Sequence, residues 1–511
     1  MARLHEYQGK SLLARHGFTV PRGAPASSPE QAAQVARELG GAVVIKIQAW
    51  TTGRAAMGGV AFATSPSEAA EHAKRMLGMR VGNFSVTEVL VEEKLSLARE
   101  LFVSLSIDDH EKRPIVLLSL AGGSGIEERA TQVHRLLCDV KSGPDPAALR
   151  GAMETSDLDP SVRPPVATAV GNVFQLARSI EARSVEINPL AITKDGRVVA
   201  ADCRITVDDY AVFRHPELGI DIARELDHPP TALERIAYQV EQDDHRGTFY
   251  FAQLATEPAP GSKGLAGFHG AGGGGSMMSM DAITNEGFNI ANFTDTSGNP
   301  SAAKVYRAAR IILQQPGLCG FFGSGSGVAS QEQFWSAYGL AKAFWEMNLD
   351  IPAVIRLGGN SEDRAVEVLT DGTRGLPATI EGYRKDDPPA KIARRFAELV
   401  EKSTAKWKPR PRRVPKFVGT AASVSIPIKG GKLWIEPSKW PQAKAVVDRF
   451  APNALKDENG KPAPATPRPE DFATKDSELI ACEVECRRAG IDAVFVELAI
   501  PGLEELQGKS Y

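Results

Sequence analysis

Apolar and polar positions alternate along this chain in two periods, and the change from one to the other divides the sequence. Residues 5–16 carry a helical period that stops at Gly17. Residues 29–39 carry another, opened by Pro29 in a first turn, where proline is tolerated. Gly40-Gly41 ends that helix, and Val43-Val44-Ile45-Lys46-Ile47 follows as an apolar strand. Residues 60–63 predict a short strand, 66–77 a helix, and 86–92, 100–107 and 114–120 three more strands. A long helix over 166–182 leads into strands at 184–193 and 197–207, joined at Lys194-Asp195-Gly196. Asp-Gly between apolar runs marks a hairpin, because such turns need positive φ. The pattern predicts an α+β domain on a mostly antiparallel sheet.

Over 221–244 the pattern becomes polar and helical, which predicts a connector. From about residue 263 strands and helices alternate. Strands at 264–269, 290–294, 318–322 and 353–357 are interleaved with helices from Ser276, over 302–314 and over 331–347. That order predicts a doubly wound parallel sheet, whose ligands sit at the carboxyl ends of the strands. Residues 406–413, rich in Lys, Arg, Pro and Trp, predict a linker. A hairpin within 417–436, helices at 438–450 and 476–489, a loop over 451–475 and a strand at 492–498 then predict a small α+β module. The expected domains are therefore 1–230, a connector 231–262, 263–405 and a C-terminal extension 406–511.

Composition narrows the function classes. A chain of 511 residues exceeds one ordinary core. Hydrophobic content of 42% and charged content of 24% are those of a globular protein. The net charge is −3 with no long basic block, which argues against a nucleic-acid partner. No apolar run is long enough for a membrane span, and Met1-Ala2-Arg3-Leu4-His5-Glu6 lacks the apolar core of a signal peptide. The 5 cysteines are scattered, which with the rest predicts a cytoplasmic protein. Cys482 and Cys486 share a helix face, but no neighbouring Cys or His completes a metal set, so ordinary packing is expected.

Several segments carry candidate chemistry. The hairpin at Glu186-Ile187-Asn188-Pro189-Leu190 and Asp202 sets a carboxamide beside a carboxylate. Two hard oxygen ligands that leave a cation open positions suit Mg²⁺ carried by a nucleotide phosphate. Lys46 ends a strand and precedes Gly53-Arg54 and Gly58-Gly59. Glycines let backbone N–H groups approach phosphate, although such hairpins are common. Glu92 and Glu100 flank a polar run, as solvated carboxylates or as acceptors for ribose hydroxyls near an adenine. Gly122-Gly123-Ser124-Gly125-Ile126-Glu127 reads as a surface loop or a lid over phosphates. Gly270–275 and Gly323-Ser324-Gly325-Ser326-Gly327 each follow a strand and precede a helix, the geometry for an anion at a helix N-terminus. His269, just before the first, is placed to donate a hydrogen bond to a carboxylate or phosphate.

In order along residues 1–400 these pieces form a set. It comprises Leu4-His5-Glu6-Tyr7-Gln8-Gly9-Lys10, Lys46 with Gln48 and Gly53-Arg54, Leu90-Val91-Glu92, Glu100-Leu101, Gly122-Gly123 with Ile126-Glu127, Glu186-Ile187-Asn188-Pro189-Leu190, Asp202 and Phe213-Arg214-His215-Pro216. Gly270-Ala271-Gly272 and Ile355-Arg356-Leu357-Gly358-Gly359-Asn360 continue it. The chain resembles the β subunit of succinyl-CoA synthetase and related ADP-forming acyl-CoA ligases. The resemblance implies a multidomain α+β and α/β protein: an ATP-grasp domain, then a flavodoxin-like ligase domain, with the C-terminal module outside the likeness. It implies that Lys46, Gly53, Arg54, Glu92, Leu95 and Glu100 bind the nucleotide and that Asn188 and Asp202 hold Mg²⁺. It further implies that Glu186 orients a phosphohistidine, and that His269, Gly325, Gly327, Val328 and Ala329 meet the acid. The implied reaction is ATP + carboxylate + CoA ⇌ ADP + phosphate + acyl-CoA, with the phosphohistidine and the CoA site on an α-type partner subunit.

The chain departs from that family in three places. Thr52-Gly53-Arg54-Ala55-Ala56 replaces Gly-Gly-Arg-Gly-Lys, His269 replaces asparagine, and Phe293-Thr294-Asp295-Thr296-Ser297-Gly298 replaces a more glycine-rich segment. The last two point to an acid other than succinate. The alternatives are an ATP-grasp carboxylate–amine ligase and a non-catalytic regulatory subunit with a degraded phosphate loop.

Overall fold

A computed structural model of the chain describes residues 2–122, 133–224, 226, 228–243, 248–325, 332–454, 456, 459–461 and 475–506. The chain forms two compact units, Met1–Pro230 and Thr231–Tyr511.

In the first unit the sequence periods become two antiparallel sheets. Strands Gly23–Ala26, Val89–Glu93, Val43–Ile47 and Val60–Ala63 pair in that order. Helices Pro29–Leu39 and Pro66–Leu77 cover them through small residues, Ala32, Ala36, Ala69 and Ala73, with Met76. Both begin at a serine that caps an N–H, Ser28 to Gln31 and Ser65 to Glu68, with proline next. The second sheet runs Ala2–Arg3, Cys203–Val207, Ala182–Thr193, Leu97–Asp108, Arg113–Ser119, Val133–Asp139 and Gly143–Pro144, with Val198–Ala200 beside Ala182–Thr193. Helix Arg163–Ser179 buries Val166, Val170, Val173 and Phe174 in the core beneath it.

The hairpin forms with Gly196 at φ 82°, as the Asp-Gly signal requires. Its return strand, expected unbroken over 197–207, is split at Ala201-Asp202. The facing residue is Pro189, which has no N–H to return to Ala201. Ala201 N–H still donates to Pro189 (3.1 Å), and the Ala201 carbonyl accepts instead from Lys10 (2.8 Å) and Lys46 (2.9 Å). The interruption thus delivers the Ala201 carbonyl to two lysines and the Asp202 carboxylate to Arg54 (2.5 Å).

In the second unit, strands Asn292–Asp295, Leu265–Ala271, Leu318–Gly325, Ala353–Arg356 and Ile380–Tyr383 are parallel, and Tyr250–Gln253 joins one edge antiparallel. Helices Gly273–Asn285, Ala302–Ile312, Phe334–Glu346, Glu362–Gly372 and Pro389–Lys402 connect the strands or follow the last. The helix expected from Ser276 starts at Gly273. Gly272, at φ 103°, completes the turn out of the strand, so the helix begins before the first good helix former.

Residues 406–413 are packed down rather than free. The Trp407 indole is fully buried and donates to Leu313 O (2.7 Å), Arg410 pairs with Asp350 (2.5 Å) and Arg412 with Glu497 (2.8 Å). Burying an indole outweighs the composition that suggested a linker. The last elements, Val424–Ile428, Gly431–Ile435, Trp440–Phe450, Asp476–Arg488 and Val494–Leu498, share one core with this unit. Helix Asp476–Arg488 lies on Ala302–Ile312, Phe334–Glu346 and Glu362–Gly372. Cys482 and Cys486 are buried there as free thiols.

Candidate functional site

Helix Glu6–Arg15 brings the first charges to the site. Gly9 faces Cys203, and a Cβ at that position would lie 2.7 Å from the Cys203 Sγ. Only glycine lets the helix approach strand Cys203–Val207 so closely. Glu6 and Lys10, one turn apart, then sit beside Ala201-Asp202. Lys46 projects from strand Val43–Ile47. Arg54 comes from a turn closed by its own backbone: Ala56 N–H bonds to Gly53 O (3.0 Å) and Gly59 N–H to Arg54 O (2.8 Å).

These groups form one charged cluster. Glu6 Oε1 accepts from Lys10 (2.8 Å) and Lys46 (2.7 Å), and Glu6 Oε2 from Arg54 (2.7 Å). Glu92 pairs with Lys10 and with Lys46 (2.9 Å). Arg54 also reaches Asp202 Oδ2 (2.5 Å). Burial disfavours a charged Glu6, but Lys46, Lys10 and Arg54 overcome it and hold its carboxyl well below the usual range. Burial and the nearby Glu6 charge push Asp202 upward, against the pull of Lys46 and Arg54. Desolvation opposes the charge on Lys46, and Glu6, Glu92 and Asp202 more than restore it.

Glu6, Arg54 and Asp202 of this cluster line a cavity of about 500 Å³ together with Gly53, Glu186 and Asn188, whereas Lys10, Lys46 and Glu92 do not line it. Glu186 and Asn188 lie two apart on one strand, so both face it. Asn188 N–H donates to Asp202 O (3.1 Å), which sets the two side chains next to each other. Asn188 and Asp202 supply one neutral and one anionic hard oxygen. That donor set fits a Mg²⁺ ion completed by phosphate and water. Among the described residues no group of three or more His, Cys, Asp or Glu stands ready to hold a metal alone.

The expected residues do not all converge. Glu92 is 1% exposed and is spent on two lysines, so it is not a solvated carboxylate. Leu95 and Glu100 are half-buried and do not line the cavity; Glu100 faces Ala191 across the sheet, and its backbone carbonyl accepts from Gly122 N–H (2.6 Å). Glu6 and Lys10 join the site as well; their signal in the sequence is an acid and a lysine at i and i+4 around Gly9. Residues 123–127 of the expected lid lie outside the described residues.

In the second unit, His269 and Gly325 reach neighbouring strand ends, with His269 opposite Gly323 and Ala271 opposite Gly325. The His269 ring nitrogen Nε2 shares a hydrogen bond with Thr296 Oγ1 (3.0 Å), and Gly272 N–H donates to Asp295 Oδ1 (3.0 Å). Gly327, Val328 and Ala329 lie outside the described residues. His269 is 3% exposed, and burial pushes its pKa down to about 4. It is neutral at pH 7. As pH falls from 6.5 towards 4, the unfolded chain takes up a proton that the folded chain refuses. Stability present above pH 6.5 is therefore lost across that window, by about 3 kcal/mol. Denaturant unfolding as a function of pH should show this slope, and His269→Asn should flatten it.

The chain thus has two parts, an antiparallel unit with a charge-lined cavity and a doubly wound unit. A family model described as an ATP-grasp domain matches residues 3–192. The chain is 34% identical over 371 residues to the GDP-forming succinate–CoA ligase β subunit of Thermus thermophilus, over 72% of this chain and 93% of that one. It is 32% identical over 402 residues to the ADP-forming β subunit of Rubrobacter xylanophilus, over 78% and 98%. ATP citrate lyase from Methanothrix soehngenii, solved with citrate and coenzyme A, shares the fold at a TM-score of 0.58 and 20% identity, over 78% of this chain and 99% of that chain. The chain belongs to the succinate–CoA ligase β-subunit family.

Proposed function

We propose that this chain is the nucleotide-binding subunit of an ADP-forming carboxylate–CoA ligase that works with an α-type partner. The observation that carries the reading is the convergence of Gly53, Arg54, Glu186, Asn188 and Asp202 on one cavity, in a chain of this family. Arg54, Lys46 and the backbone at Gly53 bind the nucleotide phosphates. Glu92 acts from behind Lys46, and Leu95 and Glu100 lie towards the base and sugar. Asn188 and Asp202 hold Mg²⁺, which when bound offsets charge on the phosphoryl group in transfer. Glu186, on the same wall, orients the partner's phosphohistidine. His269, neutral at pH 7, and the glycine-rich segment at Gly325, Gly327, Val328 and Ala329 receive the carboxylate. CoA is taken by the partner, and the chain acts in the cytoplasm.

The test is ADP release by the full chain co-purified with its partner, across a panel of carboxylates. Sustained release, beyond the single ADP that phosphorylation of the partner's histidine sets free, should require both CoA and one class of carboxylate. Release that needs an amine in place of CoA, or none with any acid, contradicts the reading.

A further inference from the structure

We propose that Glu6 is a positioning residue of the nucleotide site: its one carboxylate sets the spacing of Lys46 and Arg54 for phosphate oxygens. The proposal rests on the nucleotide reading of the cavity. Glu6 divides its oxygens, Oε1 to Lys46 (2.7 Å) and Oε2 to Arg54 (2.7 Å), so the two cations are fixed relative to each other by a rigid planar group. The third cation plays a different part. Lys10 has a side-chain exposure of 5%, against 12% for Lys46 and 16% for Arg54. It shares the acceptors Glu6, Glu92 and Ala201 O with Lys46, but as the more enclosed of the two it backs the carboxylate while Lys46 and Arg54 stand nearer solvent.

Physical chemistry gives Glu6 this role for three reasons. Lys and Arg carry long, flexible side chains, and ordering them in advance removes an entropy cost from ligand binding. Two cations held this close repel unless an anion lies between them. Glu6 opens helix Glu6–Arg15, where the helix dipole favours a carboxylate. The close approach allowed by Gly9 fixes the whole helix against Cys203, so the anchor is itself rigid.

Electrostatics alone predicts the opposite result. Removing Glu6 makes the cavity more positive, which by charge would tighten ATP. The sign of the change therefore separates a positioning role from a competing one. Glu6→Gln keeps the shape and removes the charge. ATP affinity, read by calorimetry with Mg²⁺ on protein whose circular dichroism matches wild type, should weaken about tenfold or more. KM for ATP should rise by a similar factor, with a smaller change in kcat. Glu6→Asp keeps the charge on a shorter arm and should fall between Glu6→Gln and wild type. Unchanged or tighter binding by folded Glu6→Gln overturns the proposal. Should Glu6→Gln fail to fold, wild-type affinity in Glu6→Asp overturns it instead. Failure of the wild-type chain to bind ATP removes the nucleotide reading itself, a separate outcome.

Discussion

Asp202→Asn should lower ATP-dependent turnover by about 10²–10³-fold while leaving the chain folded, the size of effect seen when one preorganised electrostatic group is lost. The structure gives both halves of that expectation. Asp202 is the anionic member of the Asn188–Asp202 pair, and its side chain is 27% exposed towards the cavity. Replacing it with an amide leaves two neutral oxygens, a poor set for a hard dication. The structural cost is limited to one partner because Arg54 keeps its bond to Glu6 Oε2 (2.7 Å) when Asp202 loses its charge. Loss of one such partner costs about 1–3 kcal/mol. Steady-state rates with a thermal melt check both parts. Wild-type turnover in the variant would remove Asp202 from the metal site.

Lys342→Met should destabilise the second unit by about 3–5 kcal/mol, the range for breaking a buried ion pair from one side. Lys342 is fully buried on helix Phe334–Glu346. Its ammonium reaches Glu346 (2.6 Å) on the same helix and Glu483 (2.7 Å) on helix Asp476–Arg488. Arg310 adds a longer contact to Glu346 (3.3 Å), and Arg487 pairs with Glu483 (2.7 Å). Neither arginine replaces the charge that Lys342 shares between the two acids. Combining Lys342→Met with Glu346→Gln should recover part of the loss, since Glu483 keeps Arg487 (2.7 Å) and Arg310 keeps Glu504 (2.6 Å). Denaturant unfolding followed by tryptophan fluorescence reads the difference. Wild-type stability in the single variant would mean that the C-terminal helix is not held by this network. The C-terminal residues are thus bound into the second unit by charge as well as by apolar packing.

Regular periods with punctuation were legible in the sequence. The helices Pro29–Leu39 and Pro66–Leu77 carry Ser-Pro starts, and the Asp195-Gly196 turn and the parallel strands at 318 and 353 have clear boundaries. Helix Glu362–Gly372, strand Ile380–Tyr383 and helix Pro389–Lys402 were not assigned. The strand is short and half-buried, with little apolar contrast to mark it. Strand Gly23–Ala26 was also missed, because glycine and proline there suit an edge but give no strand signal. At the site, the hairpin pair Asn188 and Asp202 and the Gly53-Arg54 turn were readable, since each lies in a local motif. Glu6 and Lys10 were not, because their role depends on a helix far away in sequence from Asp202 and on the space left by Gly9. Glu92 illustrates the same limit. Its place on a strand end was legible, but its two lysine partners come from separate elements.

The most direct test of the Asp202 assignment is calorimetric titration of ATP, with and without Mg²⁺, into the full wild-type chain and into Asp202→Asn. Wild type should bind ATP and bind it more tightly with Mg²⁺. The variant should keep the Mg²⁺-free binding and lose the enhancement. An equal Mg²⁺ effect in both proteins, or no ATP binding by the wild-type chain, would contradict the account.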